Sequence, residues 1–208
     1  MKSIEAVLFD LGGVLIEINY SATIQEFEKL GFQNVSHLYS QTKQAPLFEQ
    51  FEKGQISSAN FINKLLAMSN ESCNPNKIVK AWNAMIGDFS VESILTLKNL
   101  QNKYRLFLLS NTNELHINLV YQKWKEVQKI ELASLFEKIN LSHEIGMRKP
   151  DRETFLAICE NSNIKPINTL FIDDSIQHIE GAKRAGLQTI HLKKITELAS
   201  ELDALGIN

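Results

Sequence analysis

This 208-residue sequence predicts a doubly wound parallel α/β sheet with a helical subdomain inserted into it. Three observations carry that prediction. Short apolar runs end in polar residues at Asp10, Ser110 and Asp173, and runs of that length bounded by turn residues read as strands buried on both faces. From Tyr104 onward such runs alternate with helical patterns, as parallel βαβ units do. Between the first run and this alternating half lie roughly seventy residues of helical periodicity, too many for an ordinary crossover.

The first strand is predicted within Ala6-Val7-Leu8-Phe9-Asp10-Leu11-Gly12-Gly13-Val14-Leu15-Ile16, where two glycines let the chain turn after the carboxylate. The helical block follows from Tyr20 to about Phe89, with no strand expected inside it. Its first helix carries Ile24, Phe27 and Leu30 and stops at Gly31. A short one spans Pro46 to Phe51 and ends by Gly54. Ser57 or Ser58 caps the next, through Phe61, Ile62, Leu65 and Leu66. Asn74-Pro75 supplies N-cap and first turn for Ile78, Val79, Trp82 and Met85. After a helix over Val91 to Asn102 comes a strand, Tyr104 to Leu109, ending at Ser110-Asn111-Thr112-Asn113. A helix from Glu114 to Trp124 turns Leu115, Leu119 and Trp124 inward. Lys138 to Ser142 reads as a weak strand, and Pro150-Asp151 opens a helix to Asn161. A strand over Thr169 to Ile172 ends at Asp173-Asp174-Ser175. A helix then stops at Gly186, Leu187 to Leu192 is the last strand, and Ile195 to Leu205 a closing helix. The implied division is a core of residues 1–16 and 90–208 with a helical cap of residues 17–89.

Composition is that of an ordinary globular protein, 44% hydrophobic and 22% charged. A net charge of -2 without basic clusters argues against a nucleic-acid partner. No stretch reaches the ~20 apolar residues a membrane helix needs, so no membrane partner is expected. The start lacks a signal peptide's apolar length and cleavage site, and a cytoplasmic location is expected. Cys73 and Cys159 lack metal-ligand spacing and read as reduced packing residues.

Parallel strands bring their C-terminal ends to one edge, where ligands bind. Asp10, Ser110-Asn111 and Asp173-Asp174 should therefore meet in one crevice, joined by Lys149 from the loop Gly146-Met147-Arg148-Lys149-Pro150. Carboxylates from two strand ends are hard ligands suited to Mg²⁺. Ser110 and the backbone N–H groups after Asp10 and Ser110 can hold phosphate oxygens, and Lys149 supplies positive charge.

Four segments, Phe9-Asp10-Leu11-Gly12-Gly13-Val14, Leu109-Ser110-Asn111-Thr112, Lys149-Pro150 and Ile172-Asp173-Asp174-Ser175, occur in order across essentially the whole chain. In this the sequence resembles the haloacid dehalogenase-like hydrolase superfamily, its capped subfamily I. The resemblance implies a Rossmann-like core with a helical cap, and a Mg²⁺-dependent phosphatase. Asp10 would be the nucleophile, forming an aspartyl-phosphate. Asp174 would bind Mg²⁺ with Asp10 and the carbonyl of Gly12, with Asp173 supporting the metal site. Leu11, Gly12, Ser110, Asn111 and Lys149 would contact the phosphorylated small-molecule substrate. The segments Ser110 to His116, Gly146 to Pro150, Ile179 to Ala182 and Phe51 to Ser57 are similar to bacterial sugar-phosphate phosphatases of this superfamily, α-glucose 1-phosphate among their substrates. A monomer or a homodimer is consistent with all of this.

Two departures stand out. Most phosphatases of the superfamily carry a second Asp two residues after the nucleophile as general acid, and here that position is Gly12. Such help is worth about 10²–10⁴-fold. Glu17 is a substitute to weigh, though a solvated flap charge is the expected reading. His178 stands where many relatives have Asp or Asn, either as a working substitute or as a plain helix residue. His116 is expected to contact the cap rather than act as a base. His37, His143 and His191 read as incidental, Trp82, Met85 and Trp124 as packing, and Arg148 as solvated or salt-bridged. The rivals to a phosphatase are a metal-free 2-haloacid dehalogenase, which the Asp173-Asp174 pair counts against, and a non-catalytic homologue that binds a phosphorylated ligand, which Gly12 favours.

Overall fold

The computed structural model describes residues 3–33, 45–69 and 73–207. The first half runs β1 (Ala6–Phe9), β2 (Ile16–Ile18), α1 (Tyr20–Lys29), α2 (Pro46–Glu52), α3 (Ser58–Leu66), α4 (Pro75–Asn83), β3 (Ile86–Phe89) and α5 (Val91–Leu100). The second runs β4 (Arg105–Ser110), α6 (Glu114–Val127), β5 (Lys138–Leu141), α7 (Ser142–Ile145), α8 (Arg152–Asn161), β6 (Thr169–Asp173), α9 (Ile176–Arg184), β7 (Gln188–His191) and α10 (Leu198–Ala204). Strands β5–β4–β1–β6–β7 form one sheet, parallel throughout.

The apolar runs explain the layers. With a side-chain period of two, Val7 and Phe9 enter one core with Leu106, Leu108 and Ile172. Ala6 and Leu8 enter the other with Phe107, Leu109 and Phe171. Helices α5, α6 and α10 cover the first face through Leu97, Trp124 and Leu202. Helices α8 and α9 cover the second through Phe155 and Ile179. At roughly 1.5–3 kcal/mol for each fully buried large side chain, β1 is held from both sides.

A third cluster lies in the cap, around Phe27, Phe48, Phe51, Phe61, Leu65, Ile78 and Trp82. Phe51 and Phe61 stack at 4.1 Å, and Phe61 lies 5.2 Å from Trp82. Trp82 is fully buried and Met85 nearly so. The caps are those expected: the Asn74 side chain accepts from the Lys77 N–H, and that of Ser57 from the Asn60 N–H. Cys159 packs in the second sheet face, and both cysteines are free thiols.

Three expectations need correction. The helical block is not free of strand, because β3 pairs antiparallel with β2, Ile16 opposite Phe89 and Ile18 opposite Ile86. The pairing joins residues far apart in sequence, so local periodicity cannot show it. Gly87 and Asp88 are also poor strand formers. The chain after Asp10 is accordingly a turn and a separate strand. Helix α6 turns His116, Ile117, Val120 and Trp124 inward, while Leu115 packs under the cap cluster. Trp124 is inward as expected, whereas Leu119 is only partly buried. Among the described residues no helix is long and apolar enough to cross a membrane. His37 lies outside the described residues.

Candidate active site

Register sets the site. Phe9 is level with Leu108 on one side and with Ile172 on the other. Asp10 continues the ladder, its N–H donating to the Ile172 carbonyl at 2.9 Å. Asp10 and Asp173 therefore leave the sheet side by side. Between them stands Lys149, fully buried, its Nζ 2.7 Å from Asp10 Oδ1 and 2.7 Å from Asp173 Oδ2. Asp173 is saturated: Oδ1 also accepts from the Ser175 N–H at 2.8 Å, and His178 Nδ1 lies 3.0 Å from both oxygens. His178 is thus tied to Asp173 by its side chain. Asp10 Oδ1 accepts from the Leu11 N–H as well, at 2.6 Å.

Asp174 faces the same space from the far side of the turn. A Cβ placed on Gly13, whose φ is +73°, would lie 2.5 Å from Asp174 Oδ2. Only a glycine lets the Asp174 carboxylate approach the loop after Asp10 this closely. Asp10, Leu11, Gly12, Ser110, Asn111 and Asp174 all line one cavity with Thr112, Arg148 and His178. Lys149 and Asp173 lie beneath its floor, both with no exposed surface. The Asn111 amide is committed to Lys149, with hydrogen bonds to that residue's backbone N–H and carbonyl, each 2.9 Å. What Asn111 leaves for a ligand is its backbone.

The electrostatics are unbalanced. Burial, then the charges of Asp173 and Asp174, push the Asp10 carboxyl well above its usual range, and Lys149 offsets this only in part. Burial would raise Asp173 too, but the Lys149 charge and the His178 hydrogen bond outweigh it and hold Asp173 low. Burial would lower Lys149, but Asp10 and Asp173 raise it. Burial and the Lys149 charge lower His178, against a rise from the Asp173 hydrogen bond and charge. Three carboxylates thus crowd one lysine, and that crowding helps to raise Asp10. Oxygen donors so crowded fit a hard divalent cation such as Mg²⁺. Asp10, Asp173 and His178 also place one ligand atom each within 4.8 Å of one another.

The haloacid dehalogenase-like hydrolase model matches residues 4–186. The chain belongs to the haloacid dehalogenase-like hydrolases. It is 25% identical over 202 residues to the D-ribitol-5-phosphate phosphatase of Bacteroides thetaiotaomicron, 97% of this chain and 98% of that protein. A haloacid dehalogenase family enzyme of the same bacterium, solved as a magnesium complex, superposes with a TM-score of 0.87 at 36% identity, covering 97% of this chain and 99% of that one. A haloacid dehalogenase-like family hydrolase of Porphyromonas gingivalis does so with a TM-score of 0.87 at 29% identity, covering 97% and 98%.

The roof of the cavity in this hydrolase comes from the β2–β3 pair and the helical cap. Ile18, Tyr20, Glu52, Met85 and Ile86 line it opposite the strand tips. Nothing in the sequence marks Glu52 as a residue of the site, since a charged residue ending a short helix reads as solvated. Glu52 is 3% exposed and pairs with Arg148 at 3.0 Å, the salt-bridged reading of that arginine. Glu17 is exposed on β2 and outside the cavity lining, a solvated charge as expected. His116 is buried against the cap, stacked on Trp82 at 4.5 Å. His191 is not incidental, since its Nε2 lies 3.0 Å from the Asp174 carbonyl and steadies that turn.

Proposed function

We propose that this hydrolase is a Mg²⁺-dependent phosphatase of small phosphomonoesters, a sugar phosphate in particular, working through an aspartyl-phosphate. The observation that carries the proposal is the meeting of Asp10, Lys149, Asp173 and Asp174 at the tips of β1 and β6, where the carboxyl groups crowd one lysine. In this reading Asp10, Asp174 and the Gly12 carbonyl hold Mg²⁺, and Asp173 acts beneath them by fixing Lys149. Bound there, the ion neutralises phosphoryl oxygens and keeps Asp10 ionised.

Asp10 then attacks phosphorus through its free oxygen, with Oδ1 held by Lys149 and the Leu11 N–H. The P–O bond to the leaving group breaks, and the leaving oxygen takes a proton from solvent water. In the second step water attacks phosphorus and loses a proton to solvent as the bond between Asp10 and phosphorus breaks, releasing phosphate and restoring the carboxylate. The backbone N–H groups after Asp10 and Ser110, with the Ser110 hydroxyl, hold the phosphoryl oxygens. The division into a core of residues 1–16 and 90–208 and a cap of residues 17–89 belongs to the same proposal, with the cap excluding water.

The magnesium complex of the B. thetaiotaomicron enzyme and the substrate named for the ribitol phosphatase support this reading. A metal-free dehalogenase would gain nothing from the crowded carboxylates. The test is hydrolysis of p-nitrophenyl phosphate with Mg²⁺. Asp10→Asn should abolish it and EDTA should stop it reversibly. Turnover that survives Asp10→Asn refutes the nucleophile, and turnover that survives EDTA refutes the metal.

A further inference from the structure

Glu52 is an expensive residue to bury. It ends α2 with 3% of its surface exposed, and a carboxylate taken from water needs a partner. The partner is Arg148, 3.0 Å away, in the loop that delivers Lys149. The pair joins cap to core across a cavity wall. Both members line the cavity that holds Asp10 and Asp174. A buried ion pair is weak evidence for stabilisation, and this one lines the cavity above the strand tips.

The other cap-side lining residues among those described sharpen the point. Ile18, Met85 and Ile86 are apolar, and Tyr20 adds a phenol. Burial, then the charges of Asp174 and Glu52, hold that phenol protonated far above its usual range. Cap and core together thus present a carboxylate, its guanidinium partner and a neutral hydroxyl to the cavity. An alcohol or polyol can donate to Glu52 and accept from Arg148 or Tyr20 with the pair intact. A carboxylate or second phosphate must either face Glu52 or pull Arg148 away from it.

We infer that the Glu52–Arg148 pair is a charge filter that selects monophosphates of neutral, hydroxyl-bearing compounds and rejects those carrying a second anionic group. The inference rests on the phosphatase reading and narrows its substrate class.

Glycerol 3-phosphate and 3-phosphoglycerate test it, since they differ by a hydroxymethyl against a carboxylate. The wild-type ratio of their kcat/KM values should favour glycerol 3-phosphate by tenfold or more. Glu52→Gln removes the carboxylate paired with Arg148, so that the cavity repels a substrate carboxylate less, and should lower the ratio at least tenfold. Arg148→Gln leaves Glu52 facing the substrate and should raise it. Opposite movement in the two variants is not expected of a merely structural salt bridge. A wild-type ratio at or below one overturns the inference, whether or not the variants fold. So does a ratio that both variants leave unmoved or shift in the same direction. Turnover of p-nitrophenyl phosphate, which carries no second charge, separates the two failures. With it present, an adverse ratio refutes the filter alone. With no phosphomonoester hydrolysed at all, the phosphatase reading falls and takes the filter with it.

Discussion

The side-chain amide of Asn111 holds the backbone of Lys149 at both ends, accepting from its N–H and donating to its carbonyl, each at 2.9 Å. Asn111 follows the tip of β4 and Lys149 lies in the loop before α8, so the clamp ties the lysine to the sheet edge. The Lys149 ammonium reaches Asp10 and Asp173 from beneath the cavity floor. Its accuracy therefore depends on where its backbone is held. Asn111→Ala removes both bonds, costing about 1–3 kcal/mol of stability. Turnover should fall further than stability suggests, by roughly 10–100-fold, because a misplaced group of about 1 Å is that costly. Thermal melting and p-nitrophenyl phosphate kinetics on one preparation check both. A folded variant with wild-type kcat would show that the clamp does not position Lys149.

A second clamp joins cap to core. Asn113 Oδ1 accepts from Trp82 Nε1–H at 3.3 Å and from the His116 N–H at 3.1 Å. Its amide nitrogen faces His116 Nδ1 at 3.1 Å, which leaves Nε2–H to donate to the Trp82 carbonyl at 3.0 Å. In that arrangement the imidazole must be neutral. Burial pushes its pKa down to about 4, against a slight rise from the Trp82 carbonyl. The folded value lies below the unfolded one, so this stability is complete above about pH 6.5 and is lost as pH falls toward 4. It amounts to roughly 3 kcal/mol at most. Melting temperatures of wild type and His116→Gln should differ most at pH 7 and converge by pH 4. Parallel curves would mean that His116 does not carry the proton linkage.

The third relationship is a close approach. Gly181 lies inside α9, where a Cβ would stand 2.3 Å from the Pro150 carbonyl oxygen and 3.1 Å from a Phe155 ring carbon. The helix packs directly on the backbone beside Lys149. Alanine is the better helix former by about 1 kcal/mol. Gly181→Ala should nonetheless destabilise by about 1–3 kcal/mol, because backbone must move. It should also cut turnover at least tenfold by shifting the Lys149 loop. The exposed neighbour variant Glu180→Ala should do neither. If Gly181→Ala instead raises the melting temperature and keeps kcat, the contact is not tight in solution.

These relationships mark where reading the sequence stops. Strands β1, β4 and β6 were legible because each is an apolar run between turn residues, and β1 alternates between two cores at a period of two, while the more polar β5 and β7 gave a weaker signal. Their polar tips were legible because parallel strands share one edge. That Lys149 lies between Asp10 and Asp173, or that Asn111 serves Lys149, was not, since spacing carries no direction for a side chain. The β2–β3 pair escaped notice because its partners are distant in sequence and Gly87 and Asp88 disguise the second strand. Glu52 escaped because burial of a charge depends on a partner elsewhere in the chain, here Arg148.

The last relationship concerns the missing acid. Gly12 stands two residues after Asp10, and a Cβ there would lie 2.8 Å from Ile18 Cγ1 and 3.3 Å from Cδ1. Its φ is not among the positive ones, so the obstacle to a side chain is Ile18 rather than the backbone. Without an acid at this position the leaving oxygen departs with little help. Wild-type kcat/KM should therefore fall by about 10²–10⁴-fold from p-nitrophenyl phosphate, a good leaving group, to glycerol 3-phosphate, a poor one. Gly12→Asp alone should not close that gap, because Ile18 β2 packing forces the new side chain aside. Combined with Ile18→Ala, which empties the space, Gly12→Asp should narrow it at least tenfold. The comparison is a gap within each enzyme, so a general loss of activity from trimming Ile18 does not affect it. A gap already closed in the wild type would place the acid elsewhere in the cavity. A gap unchanged in the double variant would show that the aspartate, even with room, does not reach the leaving oxygen.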